Sequence, residues 1–176
     1  RNLVLELLPL GKLEGVVTKA DGLPAEKVFI NVQSHTASGS MNAVSTGPEG
    51  KFALDRLVPD TYKVSAMSGG FRSGMGFHSK TVTVESGKTT EVSLQIEEGT
   101  VSLSVAISTE GENKPSFAYV NAFKGVTTAP KTGRELTDLT ATLDTGFNTF
   151  TFARDGSSAT VNGLLPGNYL ICITPY

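Results

Sequence analysis

Apolar and polar residues alternate with a period of two along most of this chain, in short runs separated by Gly, Pro, Asp and Asn. That period predicts β-strands with one buried face. Val28, Ile30 and Val32 share one side of 27–33, and Val92, Leu94 and Ile96 share one side of 91–96. Val101, Leu103, Val105 and Ile107 repeat the pattern. Further strands are predicted at 2–8, 13–18, 43–45, 51–54, 62–66, 80–84 and 116–123; Phe147, Phe150 and Phe152 precede a turn at 154–158, and a last strand begins at Tyr169. Leu136, Leu139 and Leu143 have helical spacing in a Thr-rich segment, so helix and strand both stay open there. Residues 68–76 hold four glycines and read as a flexible, exposed loop, either a long hairpin loop partly packed on the sandwich or one that contacts a partner through Phe71, Met75 and Phe77.

One cassette occurs twice. Leu57-Val58-Pro59-Asp60-Thr61-Tyr62-Lys63-Val64 returns as Leu164-Leu165-Pro166-Gly167-Asn168-Tyr169-Leu170-Ile171. Pro with Asp or Gly builds a tight turn, and the Tyr then opens a strand. The cassettes are offset by 107 positions, Tyr62 to Tyr169, but the strands entering each unit by 88, Leu13 to Val101. The second unit therefore carries about 19 extra residues between Ile107 and Ser158. Carried forward, the offset leaves it with no counterpart of 80–84 or 91–96.

The opposite mismatch occurs at the start. Leu3, Leu5 and Leu7 match Val92, Leu94 and Ile96, and each set is followed by a Gly-containing joint and an entering strand. The expected frame is an N-terminal strand (1–9), a complete β-sandwich (10–98) and a second sandwich (99–176) lacking its last strands. A missing strand exposes backbone donors and acceptors, which an extended segment with one apolar face can satisfy. The predicted assembly strand is Leu3, Val4, Leu5, Leu7 and Leu8. The predicted acceptor edge is Val101, Leu103, Val105, Tyr169, Ile171 and Ile173. Three arrangements are compatible with this frame. Copies can join head to tail into a filament, neighbouring domains of a longer polypeptide can supply the strands, or the extra residues can complete the unit internally.

Composition narrows the partners. The 176 residues carry 15 basic and 17 acidic side chains, a net charge of −2. Neither half is basic, so a nucleic-acid surface is not expected. No run is long and apolar enough to span a bilayer. Arg1 is preceded by no Met or signal peptide, which predicts a mature or excised piece. The single cysteine, Cys172, lies between Ile171 and Ile173 and reads as a packed thiol rather than a reactive one.

The first unit resembles the carboxypeptidase regulatory-like family, a transthyretin-like (prealbumin-like) β-sandwich. The residues that carry the resemblance are Gly15-Val16-Val17, Asp21-Gly22-Leu23-Pro24-Ala25, 28–32, 47–54, 57–62 and 82–90. The second unit shares only Gly163-Leu164-Leu165-Pro166-Gly167-Asn168-Tyr169. Lys19-Ala20-Asp21-Gly22 is also similar to the related Cna B-type modules. Their isopeptide chemistry is not expected here, because Ala66 stands where those modules have a Glu and 91–96 holds no Asn. The resemblance implies an all-β chain of two tandem Greek-key sandwiches, a secreted or cell-surface setting with the periplasm as alternative, and no chemistry of its own.

The residues agree with that expectation. His35 and His78 have no second ligand at metal spacing and read as solvated surface histidines. No nucleophile elbow, phosphate loop or calcium loop is present. The expected function is a non-catalytic structural subunit with no cofactor or metal, whose partners are copies of itself or neighbouring domains. The alternative is an accessory, spacer or carbohydrate-binding module of a larger secreted protein. For a glycan, Tyr119 and Tyr176 are the stacking candidates, since the chain has no Trp.

Overall fold

The computed structural model describes residues 9–36, 41–70, 74–108, 115–142, 145–154 and 157–176. The described residues form twelve strands and one helix, which divide into two compact units. The described residues are all-β apart from that helix. The predicted assembly strand, Leu3 to Leu8, lies outside the described residues.

In the first unit, β1 (Gly11–Lys19) lies between β4 (Lys51–Leu57) and β7 (Thr89–Ile96). Facing this small sheet are β2 (Phe29–Ser34), β3 (Met41–Ser45) and the near parts of β5 (Asp60–Gly70) and β6 (Gly74–Val84), in the order β6-β5-β2-β3. The alternation read from the sequence becomes the core. Leu13, Val17, Ile30, Val32 and Val64 are completely buried, and Phe52, Tyr62, Val92, Leu94 and Ile96 nearly so. Burying such a side chain contributes about 1.5–3 kcal/mol, so a few misplaced positions would outweigh the net stability of a domain.

The second unit has a two-stranded sheet, β8 (Val101–Ala106) with β11 (Ser158–Leu164). Its larger sheet runs β12 (Tyr169–Pro175), β9 (Ala118–Lys124), β10 (Thr145–Ala153), and then the far parts of β6 and β5. Ala118, Val120, Ala122, Ala153, Ala159, Val161 and Leu164 form its core. The helix α1 (Gly133–Thr142) lies between β9 and β10. Thr132 Oγ1 accepts from the Glu135 amide at 3.1 Å, while Glu135 accepts from the Lys131 amide at 2.6 Å, a reciprocal cap on the first turn. Among the described residues, the extra segment of the second unit carries this helix.

One expectation is corrected. Residues 68–76 were expected to be an exposed loop, yet Asp60–Gly70 and Gly74–Val84 are strands on either side of 71–73, which lie outside the described residues. The glycines serve close approach. A Cβ on Gly74 would sit 2.1 Å from the Asn162 carbonyl oxygen, and one on Gly76 would sit 2.2 Å from the Phe147 ring. Within the two compact units, Ala66–Ser79 belongs to the second and Lys80–Gln95 to the first. Strands of eleven residues are long enough for each to contribute to both units.

Gly74 provides a test. Its φ of +94° and the nearby Asn162 backbone make Gly74→Ala doubly costly. Urea unfolding is expected to show a loss of about 2–3 kcal/mol or more. Gly22→Ala, at φ +83° with nothing within 4 Å of the new methyl, isolates the backbone cost alone. That cost is about 1–2 kcal/mol.

Candidate functional site

The repeated cassette has the same geometry in both units. Tyr62 Oη donates to the Val58 carbonyl at 2.8 Å, and Tyr169 Oη donates to the Leu165 carbonyl at 2.8 Å. Each tyrosine thereby fixes the turn before its own strand, and the two units can be compared position by position. Following the cassettes and entering strands, β8, β9, β10, β11 and β12 correspond to β1, β2, β3, β4 and β5.

In the first unit, β7 lies beside β1 and β6 beside β5. In the second, among the described residues, no strand pairs with the outer side of β8 or of β12. Burial records the difference. Leu13 on β1 is completely buried, whereas Val101, its counterpart on β8, is 44% exposed. Tyr62 and Val64 are buried, whereas Tyr169 and Ile171 are only partly so.

The contrast also holds within each ladder. Val101 pairs with Leu164, Leu103 with Val161 and Val105 with Ala159. Directly paired residues share a face of the sheet. The β11 partners are all buried, yet Val101 and Leu103 on that core face are exposed. Across the sandwich Ile173 pairs with Val120 and Ile171 with Ala122. Both β9 partners are completely buried, while Ile173 is 40% exposed. The six predicted acceptor residues are therefore core-facing side chains on the two outermost strands. Val105, Tyr169 and Ile171 pack against the same core cluster, joined by Ile107, which the acceptor prediction omitted. Its place in the alternation with Val105 was the available signal.

Asp60, in the cassette turn of the first unit, is the most strongly perturbed acid described. Partial burial pushes its carboxyl up. The Ser34 and Thr36 hydroxyls and the Thr61 and Thr36 amides oppose this and hold it at about 2. This network anchors the loop after β2 to the turn before β5.

His78 corrects the expectation of a solvated histidine. It is half-buried, with Nε2 3.1 Å from Ser68 Oγ and 3.1 Å from the Glu97 carbonyl oxygen. Its ring meets Phe147 edge-on with centroids 5.1 Å apart. Burial lowers its pKa and Lys124 adds to the effect, against the opposing pull of Glu97. His35 is exposed, as expected. Cys172 is half-buried, and burial raises its thiol pKa, so it favours the less reactive protonated form. Among the described residues no group of three or more His, Cys, Asp or Glu is placed to hold a metal. No helix among them is long and apolar enough to cross a membrane.

The outer face of the second unit carries a feature the sequence reading did not assemble. Tyr119 pairs with Thr174 and Phe152, and Asn121 pairs with Cys172 and Phe150. Phe117, Tyr119, Phe152 and Tyr176 then form a connected aromatic group with centroids 4.9–6.4 Å apart. The signal was the i, i+2 spacing of Phe117 with Tyr119 and of Phe150 with Phe152.

The family model of the carboxypeptidase regulatory-like domain matches residues 12–97, just under half of the chain. The resemblance read from the residues is thereby shown for β1 to β7. No curated protein sequence matches the chain. Among solved structures it is similar to a DUF3823 family protein of Parabacteroides merdae, with 16% identity, TM-score 0.41, and 96% of this chain and 81% of that one covered. It is also similar to the full-length major pilin SpaD of Corynebacterium diphtheriae, with 10% identity, TM-score 0.42, and coverage of 86% and 55%. A candidate carbohydrate-binding protein of Pseudomonas aeruginosa aligns at 15% identity and TM-score 0.38, over 52% of this chain and 91% of that one.

Two pH windows follow from the perturbed groups. Asp60 is held below its unfolded value, so its contribution is complete above about pH 4 and is lost as pH falls toward 2. His78 is also held below its unfolded value near 6.5, so folding is opposed once the unfolded chain binds its proton, and stability declines below about pH 6.5. Thermal unfolding across pH 2–8 should show both limbs. Asp60→Asn is expected to flatten the acid limb and lower stability at pH 7 by roughly 1–2 kcal/mol. His78→Gln is expected to flatten only the limb near neutrality.

Proposed function

We propose that this chain is a non-catalytic structural subunit of a cell-surface or secreted assembly. Its second unit accepts a β-strand along β8, and the donor is residues 1–8 of another copy. The observation that supports this reading is the burial asymmetry across the ladders: Val101, Leu103 and Ile173 face the core yet stay exposed, while their paired residues on β11 and β9 are buried.

The donor's pattern fits the vacancy. Leu3, Leu5 and Leu7 repeat Val92, Leu94 and Ile96 of β7, the strand that covers the equivalent edge in the first unit. Paired along β8, the donor would give backbone hydrogen bonds for affinity and leucines for register. Three buried leucines contribute roughly 5–9 kcal/mol gross. Association costs about 4–15 kcal/mol, so the exposed apolar side chains of the acceptor must be covered too for the joint to hold. A donor at one end and an acceptor at the other make a heterologous contact that propagates without closing.

Light scattering and negative-stain microscopy of the full chain test this. The expected result is concentration-dependent growth into linear strings. Deleting residues 1–8 should abolish growth, as should Val101→Lys with Leu103→Lys. Mixing the two defective chains should restore dimers alone, because each keeps one working end. A wild-type chain that stays monomeric at high concentration, or a deletion that still polymerises, would overturn the proposal.

A further inference from the structure

The second unit has another recognition surface, on the sheet face away from its core. A groove of about 290 Å³ opens between α1 and the outer side of β9 and β12. Its wall on the sheet side is Tyr119, Asn121, Thr174 and Tyr176. Thr137 and Thr140 face it from the helix. None of the described residues lining it is charged.

We propose that this groove binds one or two units of a neutral oligosaccharide. The chemistry of the lining selects that occupant. A sugar ring presents a patch of C–H bonds on one face and hydroxyls around its rim, so it needs an exposed aromatic face beside neutral donors and acceptors. Tyr176 is 69% exposed and Tyr119 37%. Their centroids are 5.6 Å apart and their planes 73° apart, an edge-to-face pair whose outward surface meets solvent. Phe117 and Phe152 support Tyr119 at 5.0 and 4.9 Å, so its ring is held before any ligand arrives. Tyr176 is anchored by its own backbone, whose amide donates to the Phe117 carbonyl at 2.8 Å.

The polar lining is also preset. Thr137 Oγ1 donates to the Gly133 carbonyl at 3.0 Å and Thr140 Oγ1 to the Leu136 carbonyl at 2.8 Å. The Thr137 donor is thus engaged and its lone pairs can accept from sugar hydroxyls, while the Asn121 amide supplies both donor and acceptor capacity. An anionic ligand would find no countercharge in this lining. An apolar peptide would leave the amide and hydroxyls unmatched on desolvation. The volume lies at the lower end of small-ligand sites, ~300–1,000 Å³, which limits the contact to a short stretch of a longer chain.

Affinity electrophoresis of the full chain in native gels tests the proposal. The probes are xyloglucan, glucomannan, laminarin and arabinogalactan as neutral polysaccharides, with dextran sulfate as the charged control. The expected result is retardation by at least one neutral probe and none by dextran sulfate. Tyr119→Ala and Tyr176→Ala should each weaken that retardation by about tenfold or more. Phe29→Ala, an exposed aromatic of the first unit, should leave it unchanged. Because Tyr176 is mostly exposed, its loss reads binding rather than folding. Retardation by none of the neutral probes, by dextran sulfate alone, or with full strength in both tyrosine variants would overturn the proposal.

Discussion

A β-sandwich is only as closed as its outermost strands. Each strand has two hydrogen-bonding edges and one apolar face, and the face of an edge strand is sealed by its neighbour as much as by the opposite sheet. The first unit meets this requirement with β6 and β7, which cover β5 and β1. The second unit repeats the turn, the tyrosine and the entering strand, but its chain supplies no strand at those two places among the described residues. The exposure of Val101, Leu103 and Ile173 follows from that one shortage. Their types and positions are those of core residues.

The two units thus serve as a controlled comparison. The Tyr62 and Tyr169 hydroxyls make the same bond, so the cassette is not what distinguishes them. Leu57 and Leu164 are equally buried, so the inner strands are not either. The difference begins at the strand next to the edge. The second unit instead devotes its extra residues to α1, placed over the outer face. The same elements that leave its rim open build the groove around Tyr119 and Tyr176.

Much of the fold could be read from alternation, because a strand with one buried face writes its period directly into the residues. The core-facing positions of Val101, Leu103 and Ile173 were legible for the same reason, since the alternation marks which face of each strand is apolar. The stretch 68–76 was misread because glycine has two opposite uses. It loosens a loop, and it also lets two backbones meet where no Cβ fits, as at Gly74 and Asn162. Only the neighbour distinguishes them, and the neighbour is distant in sequence. His78 was misread for a related reason, since its partners Ser68 and Glu97 come together only when β5 and β6 run their full length. The helix was half legible: the leucine spacing is compatible with helix or strand, and the Thr132 and Glu135 cap on the first turn favours the helix.

The placement of Ala66–Ser79 has a consequence for how the chain is made. This hairpin segment belongs to the second compact unit, yet it leaves the ribosome well before β10, the strand that joins it. About 70 residues separate them, which at 5–20 residues per second is a delay on the order of 4–14 s. During that interval a strand edge waits without its partner, the condition under which nascent β-proteins pair with the wrong chain. The waiting segment holds Gly69, Gly70, Gly74 and Gly76, a composition ill-suited to the tight interdigitation of an aggregate. The glycines that the finished sheet needs for space are also the residues least suited to pairing with the wrong chain.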